Sequence, residues 1–163
     1  MLAHDAVQRR LLGETLEYRL PNHPLNRFGE ANAPIVGGNL SVLYGLQGTP
    51  FGLAKFSYQF PILLIEDIGE RHYHIDRMMR NLRMSGVLAH LSGLIVGQFT
   101  DCDEDPLMQQ TVYETIKEAV ADCDYPVIFD APFGHVEHNL PLWQHRHASI
   151  YCGADGVLLT NSL

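Results

Sequence analysis

Lysine is scarce in this sequence of 163 residues, which contains only Lys55 and Lys117. Lysine and arginine together number 11 against 19 aspartates and glutamates, so that the formal net charge is -8. A surface that binds nucleic acid or an anionic membrane needs clustered basic residues, and no basic run is present. The composition therefore predicts that neither nucleic acid nor a membrane is a partner.

Cysteine and long apolar runs are also scarce. Cys102, Cys123 and Cys152 are widely spaced and form no C-x-x-C pair, which disfavours both a disulfide framework and a thiolate zinc site. No apolar stretch approaches the roughly 20 residues of a membrane-spanning helix, and the N-terminal residues carry charges where a signal peptide is apolar. We therefore expect a cytoplasmic protein, with residues 1–163 forming a single domain.

Predicted strands and helices alternate along the chain. Helices are predicted at residues 6–12, 40–46, 73–91 (broken at Gly86) and 108–121, and strands at 16–20, 34–39, 62–67, 93–99 and 126–132, with a hairpin at 148–160. Residues 21–34 are rich in Pro, Asn and Gly without a period, which predicts a long loop. The alternation predicts a mixed α/β fold.

The most apolar predicted strand, "ILLIED", ends in two adjacent carboxylates, Glu66 and Asp67. Side chains alternate along a strand, so these two should leave it on opposite faces. Binding sites of α/β sheets collect beyond the carboxyl ends of strands, where a carboxylate can orient a histidine and stabilise its protonated form. The alternative is a structural role, as a helix N-cap or in a salt bridge to Arg71 or Arg77.

A candidate general base lies in the segment "DAPFGHVEHN", where a predicted strand ends and a glycine precedes His135. A histidine in a glycine-containing turn beyond a strand end suits proton transfer near neutral pH. The alternative is a turn histidine that hydrogen-bonds to the backbone.

The segment "VGGNLSVL" places two glycines before a predicted helix. The N–H groups of Gly37 and Gly38 could form a nest for a carboxylate or phosphate. Many double glycines are instead turns that require positive φ.

Nine histidines raise the question of a metal, because "HYHID", "GHVEH" and "HRH" bring pairs close together in sequence. However, His72 and His74 open a predicted helix, where residues two apart face different directions, and no H-E-x-x-H motif occurs. We therefore assign no metal ligands and expect no cofactor, and a metal-dependent hydrolase remains an alternative.

Four segments together resemble the serine LD-carboxypeptidases, which comprise murein tetrapeptide carboxypeptidases and relatives that cleave microcin-type peptide-nucleotides. They occur in the family's order and spacing: "YRLPNHPLNRFGEANAPIVGGNLSVLYGLQGTP", "ILLIEDIGERHYHIDRMMRNLRMSGVL", "GLIVGQFTDC" and "FDAPFGHVEHNLPL". The resemblance implies the family's C-terminal domain, of swivelling β/β/α type, with a small central sheet flanked by helices.

The resemblance also implies roles for individual residues. The family uses a Ser-Glu-His triad, whose last two members fall on Glu66 and His135. Gly37, Gly38 and Asn39 become candidates for binding the free α-carboxylate of the substrate. Other residues match family positions without an implied catalytic role, and we interpret them as structural: Asp67, Tyr73, Asp76, Arg77 and Asn139.

The family's nucleophilic serine precedes the glutamate, in an N-terminal α/β domain. None of the six serines has a nucleophile-elbow context, and Ser41, the nearest candidate, lies in a predicted helix turn. The resemblance thus implies that the nucleophile domain is absent from this chain and that the chain alone is inactive. Expected partners are that N-terminal domain, a murein peptide substrate and a second copy in a homodimer. A non-catalytic binding module is the remaining alternative.

Overall fold

A computed structural model describes residues 3–161. A seven-stranded mixed sheet forms its centre, with the strand order β1-β7-β6-β2-β3-β4-β5. The strands are β1 (Leu16–Leu20), β2 (Gly29–Asn39), β3 (Ile62–Ile68), β4 (Gly93–Thr100), β5 (Val127–Ile128), β6 (His147–Gly153) and β7 (Gly156–Asn161). The helices are α1 (Ala3–Leu11), α2 (Leu40–Gly45), α3 (His72–Met84) and α4 (Val112–Ala119), with 3-10 turns at Leu53–Gln59, Leu88–His90 and Pro106–Met108. The mixed α/β fold predicted from the sequence is confirmed.

The strand β2 joins two halves of the sheet. Its first part, from Gly29 to Pro34, pairs antiparallel with β6, and its second part, from Ile35 to Asn39, pairs parallel with β3. The predicted loop at 21–34 is therefore wrong in its second half. Sequence pattern did not indicate this strand because its pairing partner, β6, lies more than a hundred residues further along the chain.

Two further predictions need correction. The helix predicted from residue 108 begins at Val112, because Thr111 forms a capping box with Glu114 that fixes the helix start. The strand predicted at 126–132 pairs in regular register only at Val127–Ile128, and regular strand geometry is lost by Asp130, whose φ is +61°. The break at Gly86 and the hairpin formed by β6 and β7 are confirmed.

Apolar residues of β3 alternate between two cores, one on each face of the sheet. Leu63 and Ile65 pack into the core that α3 and α4 cover, whereas Ile62 and Leu64 pack into the core on the opposite face. A strand buried on both faces reads as a continuous apolar run, as "ILLI" does. No helix in the residues from 3 to 161 is long and apolar enough to cross a membrane.

The corner between β2 and α2 is held by Asp67, which is 1% exposed. Its carboxylate accepts hydrogen bonds from the Asn39 side chain at 2.7 Å, from Ser41 N at 2.8 Å and from Ile68 N at 2.9 Å. Asn39 in turn caps α2 by accepting from Val42 N. The structural interpretation of Asp67 agrees with these contacts.

Replacing Asp67 with alanine should therefore lower the free energy of unfolding by about 2–3 kcal/mol, because buried donors lose their acceptor. Urea denaturation monitored by circular dichroism measures this change. The matched control is Asp76→Ala, which breaks a solvent-exposed pair with Arg80 and should cost about 0.5 kcal/mol or less. Equal costs for the two variants would contradict the assigned role of Asp67.

Candidate active site

Glu66 lies near the end of β3, opposite an irregularity in β4. Ile65 pairs with Val96 and Asp67 pairs with Phe99, so Glu66 alone faces the two residues Gly97 and Gln98. The glutamate is 8% exposed and points to the face opposite that of Asp67, as the strand alternation predicted. The bulge gives β4 one extra residue at the level of Glu66.

Two glycines make room for the Glu66 side chain. A Cβ on Gly134 would lie 2.8 Å from Glu66 Oε2, and a Cβ on Gly97 would lie 3.1 Å from Glu66 Cβ and 2.5 Å from the Phe133 carbonyl oxygen. Gly134 also has φ +121°, a conformation that other residues rarely adopt. The Glu66 side chain therefore lies in a slot between the Gly97 and Gly134 backbones. A side chain at either position would collide with Glu66 or with the neighbouring backbone.

The slot leads the carboxylate to His135. His135 Nδ1 lies 2.8 Å from Glu66 Oε2, although 69 positions separate the two residues in sequence. The His135 side chain is half exposed, whereas that of Glu66 is only 10% exposed. An ionised carboxylate can only accept a hydrogen bond, so this contact with an ionised Glu66 requires the hydrogen on Nδ1 and leaves Nε2 as the nitrogen that can take a proton.

Backbone contacts hold the turn that carries the histidine. The Thr100 hydroxyl donates to the His135 carbonyl at 3.0 Å, and Gly134 N donates to Asn139 Oδ1 at 3.3 Å. The histidine backbone is thus tied to the end of β4 on one side and to its own turn on the other. This arrangement can accept a proton from a nucleophile and stabilise the resulting imidazolium.

The strand predicted at residues 34–39 is confirmed and includes both glycines of the "VGGN" segment. Gly37 and Gly38 lie within β2, and Asn39, which follows them directly, pairs with Glu66 and caps α2. A Cβ on Gly37 would lie 1.9 Å from the Leu64 carbonyl oxygen, whereas a Cβ on Gly38 would meet nothing within 4 Å. Both glycines have positive φ, as the turn alternative requires, but they do so within the strand, whose pairing continues to the helix cap.

His72 and His74 have partners away from the Glu66–His135 pair. His72 is fully buried and its Nε2 lies 2.7 Å from the Thr115 hydroxyl, while His74 Nδ1 lies 2.8 Å from Glu70 Oε2. As expected, His72 and His74 open α3. Within residues 3–161, no group of three or more His, Cys, Asp or Glu side chains is placed to hold a metal ion. The metal-dependent alternative therefore has no ligand set among these residues.

The serines whose side chains are described have hydrogen-bond partners other than Glu66 and His135. Ser41 lies in α2, as expected, and its hydroxyl donates to Asn39 Oδ1 at 2.7 Å. Ser85, Ser92 and Ser149 likewise make hydrogen bonds elsewhere, while Ser162 and the Ser57 side chain lie outside the described residues. Burial raises the pKa of the Cys102 thiol, which disfavours the reactive thiolate.

Gly97 and Thr100 are site residues that the sequence analysis did not identify. The mid-strand glycine of "GLIVGQF" was a usable signal, because glycine inside a strand often marks a bulge or a close backbone approach. Nothing in the pattern around Thr100 indicates its contact with His135.

Comparison with known proteins identifies the family. Residues 32–150 match the LD-carboxypeptidase C-terminal domain, and the chain belongs to this family of hydrolases, as the resemblance predicted. A Bacillus subtilis protein described as "Probable murein peptide carboxypeptidase" is 43% identical over 115 residues, which are 69% of this chain and 34% of that protein. The murein tetrapeptide carboxypeptidase of Pseudomonas aeruginosa is 29% identical over 135 residues, which are 82% of this chain and 42% of that protein. The chain thus spans between about a third and two fifths of the length of these relatives.

Solved structures share the fold. A muramoyltetrapeptide carboxypeptidase from Oxalobacter formigenes superposes with a TM-score of 0.84 at 22% identity, covering 98% of this chain and 54% of that one. The microcin C7 self immunity protein MccF superposes with a TM-score of 0.77 at 18% identity, with the same two coverages. At these identities the likeness establishes the fold alone.

The glycine slot leads to a prediction for Gly134→Ala in this chain. The added methyl group collides with the Glu66 carboxylate and strains the backbone, so the free energy of unfolding should fall by roughly 1–3 kcal/mol. The amide resonances of Glu66 and His135 should also shift in NMR spectra. Gly38→Ala is the control, because its φ of +137° is similar but its Cβ meets nothing. If Gly38→Ala changes the free energy of unfolding and the Glu66 resonance as much as Gly134→Ala does, the effect of Gly134→Ala does not come from its contact with Glu66.

Proposed function

We propose that this chain supplies the glutamate and histidine of a Ser-Glu-His triad in a serine-type LD-carboxypeptidase. In this proposal the substrate is a murein tetrapeptide, and the bond cleaved joins the L-centre of a diamino acid to a terminal D-alanine. The observation that carries the proposal is the 2.8 Å hydrogen bond between His135 Nδ1 and Glu66 Oε2. Membership of the LD-carboxypeptidase family supplies the reaction class.

Each side chain has a defined role in this mechanism. His135 Nε2 removes the proton from the serine hydroxyl as its oxygen attacks the carbonyl carbon, and then delivers that proton to the departing D-alanine amine. The same nitrogen activates the water that releases the acyl group from the serine. Glu66 accepts the Nδ1–H throughout and stabilises the imidazolium, and its burial strengthens this interaction by excluding water.

The serine belongs to an N-terminal domain in this proposal. Two observations support this division: the serines with described side chains have hydrogen-bond partners other than His135, and the chain spans 34–42% of the relatives named above. The half-exposed His135 ring then faces the joining domain. The chain alone should release no D-alanine.

Substrate recognition is proposed to involve the segment from Gly37 to Asn39. Asn39 pairs with Glu66 in the β2–β3 register, so the segment ends beside the proposed catalytic glutamate. Gly38 borders open space, which leaves room for a ligand to approach its backbone. A free carboxylate bound there by N–H groups would place the scissile bond near His135.

A second candidate substrate is a microcin-type peptide-nucleotide. The fold similarity to MccF, with its TM-score of 0.77, supports this alternative within the same chemistry. Assays that offer a murein tetrapeptide and an aspartyl sulfamoyl adenosine to the two-domain protein distinguish the two candidates by product release.

Substitution of either proposed triad member should abolish turnover in the protein joined to its N-terminal domain. Glu66→Gln and His135→Ala should each lower kcat by at least ~10³-fold with little change in KM, because they remove charge stabilisation and proton transfer in the transition state. Release of D-alanine from murein tetrapeptide measures this loss.

His138→Ala is the matched control for this experiment, because it removes an exposed histidine three positions from His135. Its kcat should equal that of the unmodified protein. Full activity of His135→Ala would disprove the triad, and a properly associated two-domain protein with no activity towards either substrate would favour the non-catalytic binding module.

Asn39→Ser should raise KM for the tetrapeptide about tenfold in the same two-domain protein, because it removes the side-chain amide that donates to Asp67 and fixes the segment whose N–H groups are proposed to bind the substrate carboxylate. Serine retains an N-cap oxygen for α2, which limits the loss of stability. Ser41→Ala is the control, since Ser41 contacts the same Asp67 and Asn39 groups without a proposed substrate contact. An unchanged KM for Asn39→Ser would remove this residue from the proposed binding site.

A further inference from the structure

The β4 bulge opposite Glu66 is held by contacts that the proposed mechanism does not use. Gln98 N donates to the Phe133 carbonyl at 2.9 Å, and Ala131 N donates to the Val96 carbonyl at 3.1 Å. These bonds tie β4 to the segment that leads into Gly134 and His135. The positions of Glu66 and His135 therefore depend on how β4 and this segment are held together.

Three polar side chains reinforce this connection. The Tyr113 hydroxyl lies 3.1 Å from the Gly97 carbonyl oxygen and 3.2 Å from Asp130 Oδ1. Gln98 Nε2 donates to both the backbone oxygen and Oδ1 of Asp130, at 3.1 and 3.0 Å. Burial, followed by the nearby Asp130 carboxylate, raises the pKa of Tyr113, so its hydroxyl keeps its hydrogen and remains a donor.

Asp130 has a conformation that needs such support. Its φ of +61° lies in the left-handed region, which is unfavourable for a residue other than glycine. Strain of this kind persists only where surrounding contacts hold it, and it is concentrated at functional sites. Here the strained residue is where the chain leaves β5 and turns towards Phe133, Gly134 and His135.

We propose that Gln98, Tyr113 and Asp130 are positioning residues, which set the Gly97 and Gly134 backbones so that the Glu66 carboxylate meets His135 Nδ1. Tyr113 acts on the Gly97 side of the slot through the Gly97 carbonyl. Gln98 joins that side to the Asp130 turn, which leads to the Gly134 side. The catalytic consequence of this inference rests on the proposed function, whereas its structural part does not.

The structural part can be tested in this chain by the tautomer of His135, read from its imidazole ¹⁵N chemical shifts at a pH where the ring is neutral. In the unmodified chain the hydrogen should reside on Nδ1, facing Glu66. The Glu66→Gln variant gives the reference ¹⁵N spectrum of His135 in the absence of the carboxylate. Tyr113→Phe should move the population of the Nδ1–H form towards the value that Glu66→Gln gives.

Tyr125→Phe is the matched control, because Tyr125 is also half-buried and its hydroxyl donates to a backbone carbonyl, that of Leu88, at 3.0 Å. Both Tyr→Phe variants should lower the urea midpoint of unfolding, but only Tyr113→Phe should change the His135 tautomer. Gln98→Met provides a second test if Tyr113→Phe fails to fold. A tautomer unchanged in the folded variants would overturn the inference.

In the two-domain protein, Tyr113→Phe should lower kcat about 10- to 100-fold with KM unchanged, as expected for a misplaced catalytic group. In a Glu66→Gln background the same substitution should have little further effect, because the group it positions is already altered. If Tyr113→Phe changes the His135 tautomer but leaves kcat unchanged, the positioning role of Tyr113 stands and the catalytic role of Glu66 and His135 is refuted. Equal losses of kcat in both backgrounds would refute positioning through Glu66.

Discussion

The hydrogen bond between Glu66 and His135 is the interaction on which the proposed site depends. It places a nearly buried carboxylate against a half-exposed imidazole, 69 positions apart in sequence. Burying a carboxylate is costly unless it is paired, so the imidazole and the close backbones around Glu66 have to be in place together. The glycines at 97 and 134 permit that approach, since a side chain at either position would collide.

The two adjacent carboxylates at the end of β3 have different surroundings because neighbouring residues of a strand face opposite sides of the sheet. Asp67 faces the β2–α2 corner and is saturated with hydrogen bonds, while Glu66 faces the opposite side and meets a histidine that reaches the surface. Asp67 thus fits the structural interpretation, and Glu66 makes the histidine contact that the proposed catalytic role requires. A one-residue shift of register would exchange the two environments.

Several parts of this arrangement could be predicted from the sequence alone. The continuous apolar run "ILLI" indicated a buried strand, and the adjacent acids pointed to its carboxyl end. The helix from His72, the break at Gly86 and the terminal hairpin followed from local chemistry. Other parts could not be predicted, because β2 owes its first half to a partner strand at the other end of the chain, and the contacts that β4 makes at its bulge, with Phe133 and Tyr113, come from remote segments.

The sequence by itself determined the fold class, the family and the identity of the candidate pair, since periodicity, turn residues and motif order are local properties of the chain. The tertiary structure decided that Glu66 and His135 are within hydrogen-bonding distance, that Asn39 and Asp67 fix a helix cap, and that β2 begins at Gly29 by pairing with β6. The physical reason is that a distance of a few ångströms between remote residues depends on strand register and on which backbones can approach closely, and neither is encoded in any single segment.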